Sequence, residues 1–184
     1  MALKATGADI LHKTELGAVR LGLDGAQEVR GAAEAMTASL KASGHPASGF
    51  LIQAMTGPGV EMLVGVVQDP QFGPVVACGA GGTLVELMQD VSVRLSPLTR
   101  RDALEMIQSL RTYPLLTGFR GRPKADVAAL EDVLVRVSAM ADDLPQIAEI
   151  ECNPVIVQAE GAAVVDVRVR VAATEPASLL KRRV

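Results

Sequence analysis

Residues 150–171 read "IECNPVIVQAEGAAVVDVRVRV", and this stretch decides the fold class. Two runs rich in β-branched residues flank Glu160 and Gly161, a pattern that predicts an antiparallel β-hairpin. Two further strand-like runs, "VEMLVGVVQD" (60–69) and "FGPVVACGAGG" (72–82), are joined by the turn signal "DPQFG". Strands that come in hairpins, with helices set between pairs, indicate an α+β protein rather than a repeated βαβ fold.

The predicted hairpin brings polar side chains together. A turn centred on the Glu-Gly pair places residue 155 opposite Asp166, with Asn153 diagonal to Asp166. Because strand side chains alternate with a period of two, Glu151, Asn153 and residue 155 are predicted to share one face. Oxygen ligands in this arrangement suit a hard cation such as Mg²⁺. The alternative is that Asn-Pro only ends a strand and that Asp166 lies on a solvated face.

Three segments with helical periodicity complete the pattern. The first begins at Asp24, which with Gln27 forms a capping-box-like start. The second begins at Thr99, with Asp102 in the matching position of a capping box, and the third covers residues 126–142.

Short predicted strands at 2–6 and 18–23 and the run "GFLIQAM" make the first part of the chain a small unit. We therefore predict a small lobe, residues 1–52, and a larger lobe, residues 53–184. The segment "LIQAM" (51–55) would be the strap between the two lobes.

Two segments have weaker patterns. Residues 83–97, "TLVELMQDVSVRLSP", are predicted to be extended with a bend near Asp90. Residues 113–124, "YPLLTGFRGRPK", are predicted to be a loop. Its Arg120 and Arg122 either clamp a phosphate or lie in solvent.

Composition excludes several classes of protein. The aromatic fraction is only 2% with no tryptophan, and the net charge is −3, so neither stacking platforms nor a basic surface favours nucleic acid. No apolar run has the length of a membrane span, and Lys4 and Asp9 interrupt any signal peptide. Cys78 and Cys152 are too few for a disulfide framework. A cytoplasmic protein is the expectation.

Several isolated residues have two interpretations each. Lys4 in "ALKAT" either faces solvent or donates to a phosphate from a cleft. His12 in "ILHKTELG" is either an exposed loop residue or a nucleophile and proton carrier. The glycines of "GAGG" (79–82) match neither the P-loop nor the Rossmann pattern. They either let the backbone approach a phosphate or mark a tight turn.

Acidic residues recur in the strand-like segments. Glu61 and Glu86 each fall in a run of alternating apolar character. One such acid is ordinary, but together with Glu151, Asn153 and Asp166 they indicate a metal–nucleotide pocket.

Four blocks, in this order, resemble the ATP-grasp domain of ADP-forming acyl-CoA synthetases. They are "ALKATGADILHKTELGAVRLGL", "VEMLVGVVQDPQFGPVVACGAGGTLVELMQDVSVRLSPL", "YPLLTGFRGRP" and the hairpin "IECNPVIV" with "VVDVRV". This superfamily includes acetate–CoA ligase (ADP-forming) and succinyl-CoA synthetase. The resemblance implies an ATP-grasp fold that holds ATP or ADP with Mg²⁺ between two lobes.

The resemblance also implies roles for individual residues. Asn153 and Asp166 match the Mg²⁺ ligands, and His12 matches the histidine thought to carry the phosphoryl group between an acyl phosphate and ADP. Seven further positions match residues on the nucleotide side, with the lysine on phosphate and the strap residues on adenine: Lys4, Gln53, Ala54, Met55, Glu61, Gly81 and Gly82.

The chain departs from the family pattern in two ways. Glu15 and Ala18 stand where Asp and Gly are usual, and a Cβ at residue 18 is expected to stiffen the loop. The helix and strand that normally precede Lys4 are missing, so we expect an N-terminally truncated domain whose exposed strand edge favours self-association.

The CoA-binding and ligase domains of the family are also missing. The chain is then part of an acid–thiol ligase that needs a CoA-binding partner domain or subunit to make acyl-CoA. The alternative is a non-catalytic regulatory or interaction module that keeps the fold, for example within a protein acetyltransferase fusion.

Overall fold

The computed structural model describes residues 1–7, 9, 10, 13, 15–82 and 89–173. The chain divides into two compact units, Met1–Thr56 and a second that begins at Gly57. The division comes after residue 56 rather than 52 because the strand Gly49–Gln53 pairs within the first unit.

The first unit is a three-stranded antiparallel sheet with one long helix. Strand β1 (Ala2–Thr6) lies between β2 (Val19–Arg20) and β3 (Gly49–Gln53). Helix α1 (Gly25–Ala42) packs against β1 through apolar residues at helical spacing. The buried core of this unit contains Leu3, Ala5, Ile10, Ala18, Val29, Met36 and Leu40.

The two predicted capping boxes have different outcomes. At Thr99 the box is confirmed, because the Thr99 N–H donates to the Asp102 carboxylate (2.9 Å) and the Asp102 N–H donates back to Thr99 Oγ1 (3.2 Å). At Asp24 the prediction is wrong, since the Asp24 side chain makes no capping bond. There the Asp24 N–H donates instead to the Glu28 carboxylate (2.8 Å), one position beyond Gln27.

Six described strands form the antiparallel sheet of the second unit, which confirms the α+β class. The first hairpin has the predicted turn at 69–73, and its second strand pairs with the strand after Asp90. Of the segment 83–97, residues 83–88 lie outside the described residues, and the rest contains a strand as predicted. The strands are β4 (Val60–Asp69), β5 (Gly73–Ala80), β6 (Val91–Leu95), β7 (Ile147–Val157), β8 (Ala162–Val164) and β9 (Val167–Val171).

Helices cover one face of this sheet. Helices α2 (Arg100–Gln108) and α4 (Val127–Asp143) pack on each other, and α4 packs against the central strands. The segment predicted to be a loop contains a short helix, α3 (Tyr113–Leu116), and a 3₁₀ turn (Phe119–Gly121). Pro114 explains the short helix, because proline is favourable in the first helical turn.

The core lies between the helices and strands β4, β5 and β7. Its largest fully buried side chains are Met62, Met106, Ile107, Leu116, Leu130, Leu134 and Ile150. In the part of the chain that the structure describes, no helix is both long and apolar enough to cross a membrane.

Candidate functional site

The hairpin that carries Asn153 and Asp166 has a different register from the predicted one. Val155 pairs with Val164, not with Asp166, because four residues, 158–161, form the turn. The shift of two positions places Asn153 directly opposite Asp166, and the Asn153 N–H donates to the Asp166 carbonyl (3.1 Å). The two candidate metal ligands therefore lie closer together than in the predicted diagonal arrangement.

The strand alternation predicted for β7 is also wrong at one position. Cys152 and Val155 are both buried in the core, whereas Glu151 is half-exposed. A β-bulge at Asn153–Pro154, where the pairing of β7 with β4 shifts register, adds one residue between the two buried ones. Val155 therefore faces the core, while Asn153 remains available at the surface.

The glycine-rich stretch after β5 lies directly against β4. The Gly81 N–H donates to the Glu61 carbonyl (2.9 Å). A Cβ on Gly81 would come within 2.6 Å of the Met62 backbone nitrogen and carbonyl oxygen, so no side chain fits. The glycine at this position is therefore required by the close approach of two strands, and whether the backbone of "GAGG" also approaches a phosphate stays a prediction.

Gly82 joins residues from two other strands. Its N–H donates to Asn153 Oδ1 (3.1 Å), and a Cβ on Gly82 would overlap the Glu61 carboxylate. Contacts thus link Glu61 to Gly82, Gly82 to Asn153 and Asn153 to Asp166, so these four residues lie in one region of the sheet. Asn153 and Asp166 are half-buried, and Glu61 is exposed.

The donor set fits a hard cation that keeps ligands from outside the protein. Within the described residues, no three His, Cys, Asp or Glu side chains come together as a metal cluster. One amide oxygen and one carboxylate, from Asn153 and Asp166, instead match the way Mg²⁺ is held, with phosphate and water oxygens as its other ligands.

The other predicted binding residues lie in the first unit. Lys4 is buried, so the interpretation that it faces solvent is wrong, and its neighbours in β1 are buried as well. Gln53 ends β3 and is half-buried. Ala54 and Met55 follow it outside regular structure and are exposed.

Two of the residues proposed from the sequence, His12 and Glu86, lie outside the described residues. Their assignment therefore rests on the sequence alone.

The departure from the family pattern at Ala18 has a structural explanation. Ala18 is fully buried in the core of the first unit, and its carbonyl accepts from the Ala5 N–H (2.9 Å). The left-handed position before it is still glycine, Gly17 (φ +65°). The extra methyl group therefore fills core space rather than straining the loop.

Sequence reasoning missed the role of Asp90, which anchors the segment after α2. Asp90 is buried, and its carboxylate accepts from the Arg111 N–H (3.0 Å), the Thr112 N–H (2.8 Å) and Thr112 Oγ1 (2.6 Å). Burial opposes ionisation, but these hydrogen bonds outweigh it and hold the pKa of the Asp90 carboxyl below its ordinary value of 3.8. The only signal in the sequence was one acid beside an apolar strand.

Because the pKa of Asp90 is lowered in the folded protein, its contribution to stability decreases at acidic pH. Its contribution is fully present above the unfolded-state pKa and is lost as the pH falls through the lower folded-state pKa. We expect Asp90→Asn to lower the free energy of unfolding at pH 7 by about 1–3 kcal/mol. Urea unfolding from pH 7 to pH 3 should show this difference shrinking below about pH 4. A difference that stays constant with pH, or one equalled by the exposed control Asp143→Asn, would contradict the assignment.

Comparisons with known proteins show what the whole chain resembles. A model of the ATP-grasp domain family matches residues 1–171. The chain is 38% identical to acetate–CoA ligase (ADP-forming) I subunit beta of Pyrococcus furiosus, over 91% of the chain and 73% of that subunit. It is 39% identical to acetate–CoA ligase (ADP-forming) I of Archaeoglobus fulgidus, over 91% of the chain but only 25% of that protein.

A solved structure is similar over nearly the same span. It is dinucleotide forming acetyl-coenzyme A synthetase 1 of Ca. Korarchaeum cryptofilum, in complex with coenzyme A and Mg-AMPPCP, with its phosphohistidine segment pointing towards the nucleotide binding site. The TM-score is 0.82 at 37% identity, covering 94% of this chain and 76% of that one.

Proposed function

Because this chain belongs to the ATP-grasp family of the ADP-forming acyl-CoA synthetases, we propose that it binds ATP or ADP with Mg²⁺ and exchanges a phosphoryl group with a histidine. The observation that carries the proposal is the convergence of Glu61, Gly82, Asn153 and Asp166. The similar synthetase was solved with Mg-AMPPCP, which supports a magnesium–nucleotide complex as the ligand.

Asn153 Oδ1 and the Asp166 carboxylate would hold the magnesium ion. When bound, the ion supplies positive charge to the β- and γ-phosphates of the nucleotide. The hydrogen bond from the Gly82 N–H to Asn153 Oδ1 orients the amide, so that its oxygen rather than its NH₂ group lies at the site. The Glu61 carboxylate lies against Gly82 and would add a second carboxylate to the site.

The resemblance assigns further nucleotide contacts to residues of the first unit. Lys4, buried in β1, matches the lysine that contacts phosphate in the family. Gln53, Ala54 and Met55 match part of the family's strap, whose backbone contacts adenine. These assignments come from the resemblance together with the burial of Lys4.

His12 would carry the phosphoryl group. In the direction that consumes ATP, a lone pair of the neutral imidazole forms a bond to the γ-phosphorus. The bond from that phosphorus to the bridging oxygen breaks, and ADP leaves. The reverse step makes ATP. A CoA-binding partner subunit or domain would supply the acyl-CoA chemistry, since one relative is a subunit beta and another is a longer protein of which the chain covers 25%.

The metal assignment predicts the behaviour of one substitution. Asp166→Asn removes the charged ligand while keeping the shape of the side chain. We expect it to weaken Mg·ATP binding by about tenfold or more and to abolish the effect of Mg²⁺ on ATP affinity. Isothermal titration with Mg²⁺ and with EDTA measures both. Asp143→Asn, an exposed change at the end of α4, should match the wild type. Unchanged magnesium dependence in Asp166→Asn would overturn the proposal.

The transfer step has its own test, which also distinguishes a phosphoryl-transfer enzyme from a non-catalytic module. Incubation with [γ-³²P]ATP should give acid-labile labelling that disappears in His12→Gln. The chain has two histidines, so His45→Gln is the matched control and should keep the label. Labelling that survives His12→Gln would remove His12 from the mechanism. No labelling, with Mg·ATP still bound, would favour the regulatory alternative.

A further inference from the structure

Residues 117–125, called here the arginine loop, concentrate positive charge. The segment contains Arg120, Arg122 and Lys124 and no acidic residue, and all three cations are exposed. It lies between α3 and α4, and the chain around it is otherwise slightly acidic, with a net charge of −3.

The cations of the arginine loop differ from the other arginines of the second unit. Within the described residues, no ion pair within 4.0 Å joins Arg120, Arg122 or Lys124 to a carboxylate. Every other described arginine of this unit has one: Arg94, Arg100, Arg101, Arg111, Arg136, Arg168 and Arg170. Among the described arginines of this unit, only those of the arginine loop are not paired with a carboxylate.

The backbone of the loop adopts an unfavourable conformation at Arg120. Gly118 (φ +101°), Arg120 (φ +52°) and Gly121 (φ +79°) all have left-handed dihedral angles. Glycine accepts these values freely, but an arginine there costs free energy. Strain of this kind persists where the position of a side chain matters to function.

The loop is tied in place at both ends. Asp90 holds Thr112 before it, and the Ala125 N–H donates to the Leu116 carbonyl (2.9 Å). After it, the Asp126 N–H donates to the Gln158 carbonyl (2.7 Å). Within the loop, the Arg120 guanidinium lies 5.3 Å above the centre of the exposed Phe119 ring. Stacking of this kind orients the guanidinium and leaves its N–H groups free to donate.

The anchors place the loop at the end of the sheet that carries the candidate site. Asp90 pairs with the end of β5, just before Gly81, and Gln158 follows β7. Asn153, however, lies five residues before Gln158, roughly 16 Å along the strand. The loop is therefore near the site but separate from the candidate metal ligands.

We propose that Arg120 and Arg122 bind the phosphoryl group of a phosphorylated protein segment as it approaches the nucleotide site. This inference rests on the proposed function, in which a phosphoryl group passes between the nucleotide and a histidine. Two guanidinium groups suit a phosphoryl dianion, because each guanidinium can donate two parallel hydrogen bonds to the phosphoryl oxygens. The similar synthetase has a phosphohistidine segment that points towards its nucleotide site, which supports a protein-borne phosphoryl group rather than free phosphate.

The test uses the full chain and a short peptide that carries a stable phosphotriazole analogue of phosphohistidine. We expect saturable binding by titration, and no binding of the same peptide without the phosphoryl group. Arg120→Asn should weaken binding by about tenfold or more, because it loses charged hydrogen bonds. Asparagine tolerates left-handed dihedral angles, so this variant should be at least as stable as the wild type. Arg30→Ala, an exposed arginine on α1, makes the same change in net charge and should bind normally.

The inference would be overturned by equal binding of the two peptides, by no binding of either peptide, or by full binding of the phosphorylated peptide to Arg120→Asn. The affinity for Mg·ATP separates this inference from the proposed function. Arg120→Asn should keep that affinity, and a loss would assign the loop to the phosphates of the nucleotide instead. Phosphopeptide binding by a chain that does not bind Mg·ATP would leave the loop assignment standing and reject the proposed function.

Discussion

Gly82→Ala should weaken Mg·ATP binding by about tenfold or more while the second unit stays folded. Gly82 has φ +63°, and a Cβ there would overlap the Glu61 carboxylate. Glu61 is exposed, so its carboxylate can swing away without disturbing the core. That movement would take the carboxylate out of the site, and a shift of residue 82 to relieve the same collision would displace the N–H that orients Asn153. The left-handed alanine itself costs only about 1–2 kcal/mol.

A matched control separates the collision from the backbone cost. Gly73 has φ +80°, but no atom lies within 4 Å of where its Cβ would be. Gly73→Ala should therefore lose similar stability in urea unfolding and keep its full Mg·ATP affinity. The double variant Glu61→Ala/Gly82→Ala removes the collision and should recover the orientation of Asn153. Equal nucleotide affinity in Gly73→Ala and Gly82→Ala would show that the close contact with Glu61 has no role in binding.

Among the variants named here, Leu134→Ala should lose the most stability, about 2–5 kcal/mol in the free energy of unfolding. Leu134 is fully buried on α4, between the helices and the sheet that carries the candidate site. Truncation to alanine leaves a cavity in tightly packed surroundings. A loss of this size is a large part of the total stability of a typical domain, about 5–15 kcal/mol.

The chain provides both a specific probe and a control for that measurement. Tyr113 is the only tyrosine, there is no tryptophan, and Tyr113 packs against the core of the second unit. Its fluorescence during urea unfolding therefore reports on the unit that contains Leu134. Leu144→Ala, at a residue 47% exposed just after α4, should cost no more than about 0.5 kcal/mol. A similar small loss for Leu134→Ala would contradict the described packing of α4.

The elements of the fold follow from local sequence, whereas their pairing does not. The Thr99 capping box and the turn at 69–73 are encoded within a few residues, and both were predicted correctly. The register of the last hairpin depends on a four-residue turn, and the pairing of β7 with β4 depends on a bulge at Asn153–Pro154. Both features depend on contacts with distant segments, such as the Gly161 N–H that donates to the Asp126 carboxylate (2.9 Å).

The proximity of Asn153 and Asp166 was predictable from the sequence, but the contacts around them were not. Alternation and turn position were enough to bring Asn153 and Asp166 together, even with the register in error by two positions. The contact between Gly82 and Glu61 joins two strands, and no pattern within either strand reveals it. The burial of Lys4 was missed for a related reason, since β1 lies between two other strands and its neighbours on both sides are buried.

We propose that the magnesium–nucleotide complex binds where Glu61, Gly82, Asn153 and Asp166 converge. Paramagnetic broadening of backbone amide signals by Mn²⁺·ADP tests this most directly, because Mn²⁺ takes the same oxygen ligands as Mg²⁺. The signals of Gly82, Asn153 and Asp166 should broaden, whereas those of the hairpin turn at 69–73, at the opposite end of β4, should stay sharp. Broadening elsewhere, or none at saturating Mn²⁺·ADP, would contradict the account.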